Sequence, residues 1–169
     1  MTVSQHLALT ASIYGIHAAE ERIERLLGDF ELESKRHAFA SALSRGMRQK
    51  LALCCAYLQC PRALMLDEPM TGLDPRGIRN LKAAIASHAA QGNAVIISSH
   101  LLAMVEDICS HVLLMDRGQQ RFFGSLGELR ARFAMKEDES LEDVFFEALA
   151  ATADDQGAVE ASTRLVEQH

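Results

Sequence analysis

The sequence contains no tryptophan and only three prolines, and its longest unbroken apolar segment is residues 51–58. A helix that crosses a bilayer needs about 20 predominantly apolar residues. We therefore predict no membrane span in this chain. Residues 1–9 also lack the basic start and apolar centre of a signal peptide, so we expect no secretory leader.

Positive charge is in the minority, with 17 lysines and arginines against 23 aspartates and glutamates and a formal net charge of −6. The basic residues form no block. Proteins that bind nucleic acids usually present a basic face. We therefore expect no nucleic-acid partner.

The four cysteines, Cys54, Cys55, Cys60 and Cys109, show no C-x-x-C spacing. This spacing argues against a zinc site. We expect the reduced and mostly buried thiols of a cytosolic protein.

The remaining composition is that of a globular protein, with 49% apolar and 24% charged residues. A chain of 169 residues fits one domain, or one domain with a small subdomain. Apolar residues recur with a helical period in residues 1–15 and 18–30, and a third helix is predicted from Ser44 to about Leu58. The first third is therefore predicted to be helical. Residues 151–169 are polar and acidic without a period, so we expect a mobile tail.

Two adjacent carboxylates follow a short apolar segment in Leu64-Met65-Leu66-Asp67-Glu68-Pro69. An apolar segment bounded by turn residues is typical of a buried parallel strand. Open α/β sheets bind ligands at the carboxyl ends of such strands. Asp67 and Glu68 are therefore expected where a metal-bound phosphate would lie. The alternative interpretation is a buried strand that ends in a solvated acidic turn.

The start of the third helix has the features of an anion site. Ser44 is a good N-cap, and the first turn of a helix offers free N–H groups and a partial positive charge. Gly46 lets a phosphate approach the backbone, and Arg45 and Arg48 add positive charge. The alternative interpretation is a capped helix with basic residues on its surface.

A second buried strand is predicted at residues 94–98, and it ends at Ser99-His100. The helix before it is predicted to begin with Asp74 as N-cap and Pro75 in the first turn. A histidine at the carboxyl end of a strand, in register with a carboxylate pair on its neighbour, is a candidate functional residue. A lone histidine is otherwise usually structural.

The last predicted elements are a short helix at 101–109, a hairpin of strands 111–116 and 119–123, and two helices. Ser125 and Glu128 form the S-x-x-E pattern of a capping box for the first of these helices. The second is predicted at 141–149.

Four motifs occur in one order: Leu43-Ser44-Arg45-Gly46-Met47, Leu64-Met65-Leu66-Asp67-Glu68-Pro69, Thr71-Gly72-Leu73-Asp74 and Ser98-Ser99-His100. This order and spacing resembles the C-terminal portion of the nucleotide-binding domain of ATP-binding cassette (ABC) transporters. The resemblance implies an α/β fold, namely a partial P-loop NTPase core with a mostly parallel sheet, preceded by the helical signature subdomain. It implies a helical subdomain at 1–60, a core portion at 61–150 and the polar tail at 151–169.

The resemblance also implies roles for individual residues around ATP and Mg²⁺. Asp67 corresponds to the Walker B aspartate that holds Mg²⁺, and Glu68 to the general base that polarises the attacking water. His100 corresponds to the switch histidine that contacts the γ-phosphate. The remaining binding residues belong to the signature motif and the D-loop, which reach the nucleotide held by the opposite subunit: Ser44, Arg45, Gly46, Met47 and Asp74.

The sequence departs from the family pattern at two points. Arg45 stands where the signature motif most often has its first glycine, and its bulk or its charge could alter the approach to phosphate. The chain also has no G-x-x-x-x-G-K-[ST] segment, the P-loop whose amides and lysine cradle the phosphates. We therefore expect the isolated chain to be inactive. It is either a truncated ATPase or a natural half that completes a partner's site.

The function implied by the resemblance is ATP hydrolysis coupled to transmembrane transport, of exporter or multidrug type. The implied partners are a second nucleotide-binding subunit and a membrane-spanning permease, and the implied location is the cytoplasmic face of the membrane. The alternative is a non-catalytic module that docks on a membrane subunit or completes a partner's ATP site. The short helices argue against the ABC-type ATPases of DNA repair, which carry long coiled coils. An ABC-type translation factor is a further alternative, but such a factor normally has two cassettes in one chain, and only part of one is found in this sequence.

Overall fold

The computed structural model describes residues 1–132 and residue 142. The predicted helix at 141–149 and the predicted tail at 151–169 therefore lie outside the described residues, except for one position. The chain divides into two compact units, residues 1–100 and 101–169, and each is described by itself.

The first unit begins with the helices that the periodicity predicts. Helix α1 spans Val3–Ile13, α2 spans Glu20–Asp29, and α3 spans Arg45–Leu58. Two short 3₁₀ turns, Glu33–Lys35 and Ala40–Ala42, connect α2 to α3. The core of this helical part is made of side chains from all three helices and the connection between them: Val3, Leu7, Leu27, Phe30, Leu32, Leu43, Leu53, Cys54 and Leu58.

A strand–helix–strand crossover completes the first unit. Strand β1 spans Ala63–Asp67, helix α4 spans Pro75–Ala90, and β2 spans Ala94–Ser98. The two strands pair in parallel, which confirms the predicted α/β architecture with a parallel sheet. Helix α4 forms the crossover connection that a parallel pair of strands needs. It packs against β2.

Both strands were predicted to be buried, and this prediction is wrong for one face of the sheet. Met65 is 77% exposed and its cross-strand partner Ile96 is 58% exposed, whereas Leu64 on the opposite face is 7% exposed. Successive side chains of a strand point to opposite faces. The residues of this chain that the structure describes cover one face and leave the other open.

The second unit contains the predicted hairpin. Helix α5 spans Leu102–Glu106, the antiparallel strands β3 and β4 span His111–Asp116 and Gln119–Ser125, and α6 spans Leu126–Arg132. The predicted capping box is present, since the Ser125 hydroxyl accepts from the Glu128 N–H and the Glu128 carboxylate accepts from the Ser125 N–H. A small core lies between these elements, formed by Leu114, Phe122 and Leu129.

All four cysteines are free thiols, but the expectation that most are buried is wrong. Cys54 is fully buried between α2 and α3, and burial raises its pKa far above that of an ordinary thiol. Cys55 and Cys109 are half-buried and Cys60 is exposed. No helix within residues 1–132 is long and apolar enough to cross a bilayer.

Gly46 provides a test of the packing at the start of α3. A Cβ at this position would lie 2.5 Å from the carbonyl oxygen of Gly72. We expect Gly46→Ala to destabilise the first unit by about 1–3 kcal/mol, because overpacking against backbone forces a shift. The measurement is the midpoint of urea unfolding.

Gly127 is the matched control for this substitution. It is also the second residue of a helix, and a Cβ there would meet no atom within 4 Å. Gly127→Ala is expected to be neutral or slightly stabilising, since alanine is the better helix former. Equal losses of stability in both variants would contradict the steric explanation.

Candidate functional site

The carboxyl ends of β1 and β2 meet at one edge of the parallel sheet. Asp67 is the last residue of β1 and lies in register with Ser98, the last residue of β2. The Ser98 hydroxyl donates a hydrogen bond to the Asp67 carboxylate. The Glu68 N–H donates to the Ser98 carbonyl at 3.0 Å, which extends the pairing one residue beyond the strands. The edge therefore brings together the predicted carboxylate pair and the segment that leads to His100.

The Glu68 carboxylate is held by three donors. Its Oε1 accepts from the backbone N–H of His100 at 2.9 Å and lies 2.7 Å from His100 Nδ1. Its Oε2 accepts from the Thr71 hydroxyl at 3.3 Å. Glu68 itself has a φ of +46°, in the left-handed region that costs a residue with a side chain about 1–3 kcal/mol. The hydrogen bonds to its carboxylate hold Glu68 in this unusual backbone conformation.

These hydrogen bonds keep Glu68 ionised. The side chain of His100 is the main cause that lowers the pKa of Glu68 below its ordinary value. Partial desolvation opposes this effect, while the backbone N–H of His100 and the hydroxyl of Thr71 add to it. A carboxylate with a lowered pKa is a hydrogen-bond acceptor across the neutral range.

The contact between His100 and Glu68 also fixes which ring nitrogen carries hydrogen. A carboxylate only accepts, so His100 Nδ1 must be the donor. Neutral His100 would then present the lone pair of Nε2 to its surroundings. A donor at Nε2 toward a phosphate oxygen therefore requires either the imidazolium or a ring that leaves Glu68.

The start of α3 has the predicted cap and a tight contact with the turn after β1. Ser44 is the N-cap, and its hydroxyl accepts from the Met47 N–H at 3.2 Å. Gly46 lies against the carbonyl of Gly72. The Arg45 side chain also lies along Gly72, with its Cδ and Nε 3.4 Å from the position of a Cβ there. The unusual arginine of this motif thus packs on the turn within its own chain.

Arg48 keeps its positive charge beside the start of α3, in the place that the sequence suggested. Its guanidinium donates to the Leu43 carbonyl, just before the helix. This contact uses the long side chain to satisfy a backbone acceptor next to the cap.

Asp74 is the N-cap of α4, as predicted, and its carboxylate has two partners. Oδ1 accepts from the Gly77 N–H at 3.2 Å and lies 3.4 Å from Lys50 Nζ. Desolvation acts to raise its pKa, but the charge of Lys50 and the N–H of Gly77 prevail and hold the pKa of Asp74 below its ordinary value. The side chain is still 59% exposed, so it remains accessible.

The acidic strand end fits part of a magnesium site that a bound phosphate would complete. Within residues 1–132, no group of three or more His, Cys, Asp or Glu side chains is arranged to hold an ion. Mg²⁺ is usually bound through one or two carboxylates together with substrate phosphates and waters. Asp67 at the open edge of the sheet offers one such carboxylate.

Sequence reasoning assigned no contact to three residues that shape this site. Thr71 and Ser98 donate to Glu68 and Asp67. Lys50 contacts Asp74 although it is only 8% exposed. A lysine just before the apolar segment of α3 was a sequence signal for a buried ion pair, because a buried lysine requires partners.

Comparison with known proteins gives consistent matches. The family model described as ABC transporter matches residues 1–71. The ABC-type transporter ATP-binding protein EcsA of Bacillus subtilis is 37% identical over 149 residues, which are 87% of this chain and 60% of EcsA. The bacitracin transport ATP-binding protein BcrA of Bacillus licheniformis is 36% identical over 120 residues, 70% of this chain and 39% of BcrA.

A solved structure agrees with these sequence matches. The ATP-binding subunit of an ABC transporter superposes with a TM-score of 0.83 at 32% identity, over 88% of this chain and 62% of that subunit. The chain thus spans about three fifths of the length of EcsA and of the solved subunit.

The parallel sheet, with its acidic strand end, places the chain in the class of α/β NTPase cores. Within that class it belongs to the ABC transporter family, and it represents part of an ATP-binding subunit.

The hydrogen bond between His100 and Glu68 can be tested by titration. We expect His100→Ala to raise the pKa of Glu68 toward its ordinary value, because the main stabilising donor to the carboxylate is lost. The measurement is NMR titration of the Glu68 carboxyl carbon. Since the folded pKa lies below the unfolded one, the stability from this contact is present above the unfolded pKa and is lost as the pH falls through the folded value.

His17→Ala serves as the control, because His17 is exposed in the turn between α1 and α2. It should leave the titration of Glu68 unchanged. An unchanged pKa in His100→Ala would show that the ring does not bind the carboxylate in solution.

Proposed function

We propose that the chain is part of an ATP-hydrolysing subunit that couples the conversion of ATP and water to ADP and phosphate to transmembrane transport. The observation that carries this proposal is the ionised Glu68 beside Asp67 at the open end of a parallel strand. Ligands of open α/β sheets bind at this edge. We include in the proposal the division into a helical subdomain at 1–60, a core portion at 61–150 and a tail at 151–169.

Glu68 is the general base in this proposal. Both contacts from His100 reach Oε1, so Oε2, which has only the longer bond from Thr71, is the oxygen available to a water. A positioned carboxylate within hydrogen-bond reach accepts the proton of the attacking water as the bond to phosphorus forms. Asp67 would hold Mg²⁺, and the bound metal would neutralise the charge of the phosphate.

His100 has two tasks in this proposal. It orients Glu68 through Nδ1, and as the imidazolium it donates from Nε2 to the γ-phosphate. Both tasks are compatible with the observed contact only when the ring carries two hydrogens.

The start of α3 and the cap of α4 face a second subunit in this proposal. The signature residues and Asp74 approach the nucleotide held mainly by that subunit: Ser44, Arg45, Gly46, Met47 and Asp74. The capped helix start and the accessible Asp74 carboxylate support this assignment. The second subunit is another nucleotide-binding subunit, and a membrane-spanning permease is the further partner. In this proposal the protein lies on the cytoplasmic face of the membrane. No nucleic acid is involved.

We infer that the transporter is of exporter or multidrug type. The name of the relative BcrA refers to the transport of bacitracin.

Replacement of the proposed base tests the function. In a complete nucleotide-binding domain that contains this chain, we expect Glu68→Gln to lower ATPase kcat by about a hundredfold or more, as loss of a general base does. Glutamine keeps the shape of the side chain but cannot accept the proton. Phosphate release under saturating ATP is the measurement.

Glu20→Gln is the control, since Glu20 is exposed at the start of α2. It should leave kcat unchanged. Full activity in Glu68→Gln would favour the non-catalytic module that only docks on a membrane subunit.

The 169-residue chain alone should bind Mg-ATP poorly and hydrolyse little or none. Its sequence contains no G-x-x-x-x-G-K-[ST] segment, and the amides and lysine of that segment supply most contacts to the phosphates. Isothermal titration of the purified chain with Mg-ATP is the measurement. Micromolar binding would refute this prediction.

A further inference from the structure

One face of α3 contacts the segment that connects the two functional regions. This segment, loop 69–74, runs from Glu68 to the cap of α4. Gln49 Nε2 donates to the Pro69 carbonyl at 3.4 Å, near the start of the loop. Gly46 abuts the carbonyl of Gly72 in its middle, and Lys50 reaches Asp74 at its end.

The three contacting residues lie on one side of the helix. Positions 46, 49 and 50 are separated by three and four residues, which places them on the same helical face. The loop is therefore held along its whole length by one rigid element.

Lys50 carries the only formal charge of the three contacts. It is 8% exposed, and its Nζ lies 3.4 Å from both Asp74 Oδ1 and Glu31 Oε2. Glu31 in turn pairs with Arg76 in the first turn of α4. The two carboxylates fix the position of this buried ammonium. If it lost either partner, water could not replace that partner, because the ammonium is buried.

Close packing around the charge leaves little freedom. A Cβ on Gly77 would lie 2.7 Å from Asp74 Oδ1 and 2.9 Å from Lys50 Cε. Gly77 is also the residue whose N–H the Asp74 cap accepts. The side chains of Lys50 and Asp74 therefore pack directly against the backbone of α4 at Gly77, with no room for a side chain at that position.

Lys50 does not replace the lysine of a P-loop. A phosphate-binding lysine must present its ammonium to the ligand, whereas Nζ of Lys50 is buried against two carboxylates of its own chain. Its chemistry is that of an internal counterion.

We propose that Lys50 is a positioning residue that fixes loop 69–74 on α3, so that Glu68 and the start of α3 move as one body. The consequence rests on the proposed function. When Ser44 and Gly46 bind the partner's nucleotide, a displacement of the start of α3 would be transmitted through this loop to Glu68 of the same chain. The docking of the loop itself does not depend on that function.

Hydrogen exchange of the 169-residue chain tests the docking directly. Lys50→Met keeps an unbranched side chain and removes the charge. It should speed amide exchange in peptides covering residues 69–77 by about tenfold, in the range of coupling within one ion-pair network. Peptides from α1 should exchange as in the parent chain. Lys35→Met, which removes the same charge from an exposed 3₁₀ turn, should change neither region.

Two further variants distinguish the loss of the Lys50–Asp74 ion pair from a general effect of replacing the buried lysine. Lys50→Arg keeps the charge and should return exchange in 69–77 close to the parent rate. Asp74→Asn keeps the helix cap, since asparagine caps as well as aspartate, and removes the ion pair from the other end. Its effect should not add to that of Lys50→Met, because Lys50→Met already removes the Lys50–Asp74 ion pair.

Unchanged exchange in 69–77, an equal rise in α1, or additive effects of the two variants would overturn the proposal. If Lys50→Met does not fold, Asp74→Asn alone decides between local and uniform loosening.

The functional consequence is measured separately, in a complete nucleotide-binding domain. Lys50→Met should lower ATPase kcat by about tenfold with little change in KM, since positioning acts on the reacting geometry. Lys50→Arg should restore kcat. An unchanged kcat while Glu68→Gln is inactive would refute the link to catalysis. If Glu68→Gln stays active, the proposed function fails, and the exchange experiment still judges the docking.

Discussion

The parallel pairing of β1 with β2 is the constraint on which the rest of the site depends. It brings Asp67 level with Ser98 and lets the Glu68 N–H continue the ladder by one residue. From there the next residues of both segments must turn away from the sheet. Glu68 and His100 do so toward each other, which is why a carboxylate and an imidazole from opposite ends of a crossover share a hydrogen bond.

The site combines strained backbone with dense hydrogen bonding. Glu68 has a positive φ, yet its carboxylate accepts from the side chain and the backbone of His100 and from Thr71. Such strain persists only where the surroundings fix it, and functional sites are where it concentrates. The loop that follows is held on α3 by backbone approach at Gly72 and by the ion pair of Lys50. Order at the proposed base therefore extends to the helix proposed to face the partner.

One face of the sheet in the first unit carries apolar side chains that the described residues of that unit leave uncovered. Met65 and Ile96 face outward as a cross-strand pair, while α4 packs against the sheet on one side. Exposed apolar side chains of this size are normally covered in a parallel sheet. EcsA and the solved subunit are longer than this chain, which spans about three fifths of each.

Local sequence patterns were enough to predict most helices and strands and to recognise the four motifs. Helical period, the caps at Ser44 and Asp74, the hairpin and the capping box at Ser125 are local features, so they could be predicted with few errors. The same holds for the carboxylates at a strand end. Three features could not be predicted in this way and follow from the fold: the donors that hold Glu68, the packing of Arg45 on Gly72, and the burial of Lys50 between Glu31 and Asp74. These contacts join residues that are distant in sequence, and no local pattern records the packing that brings them together.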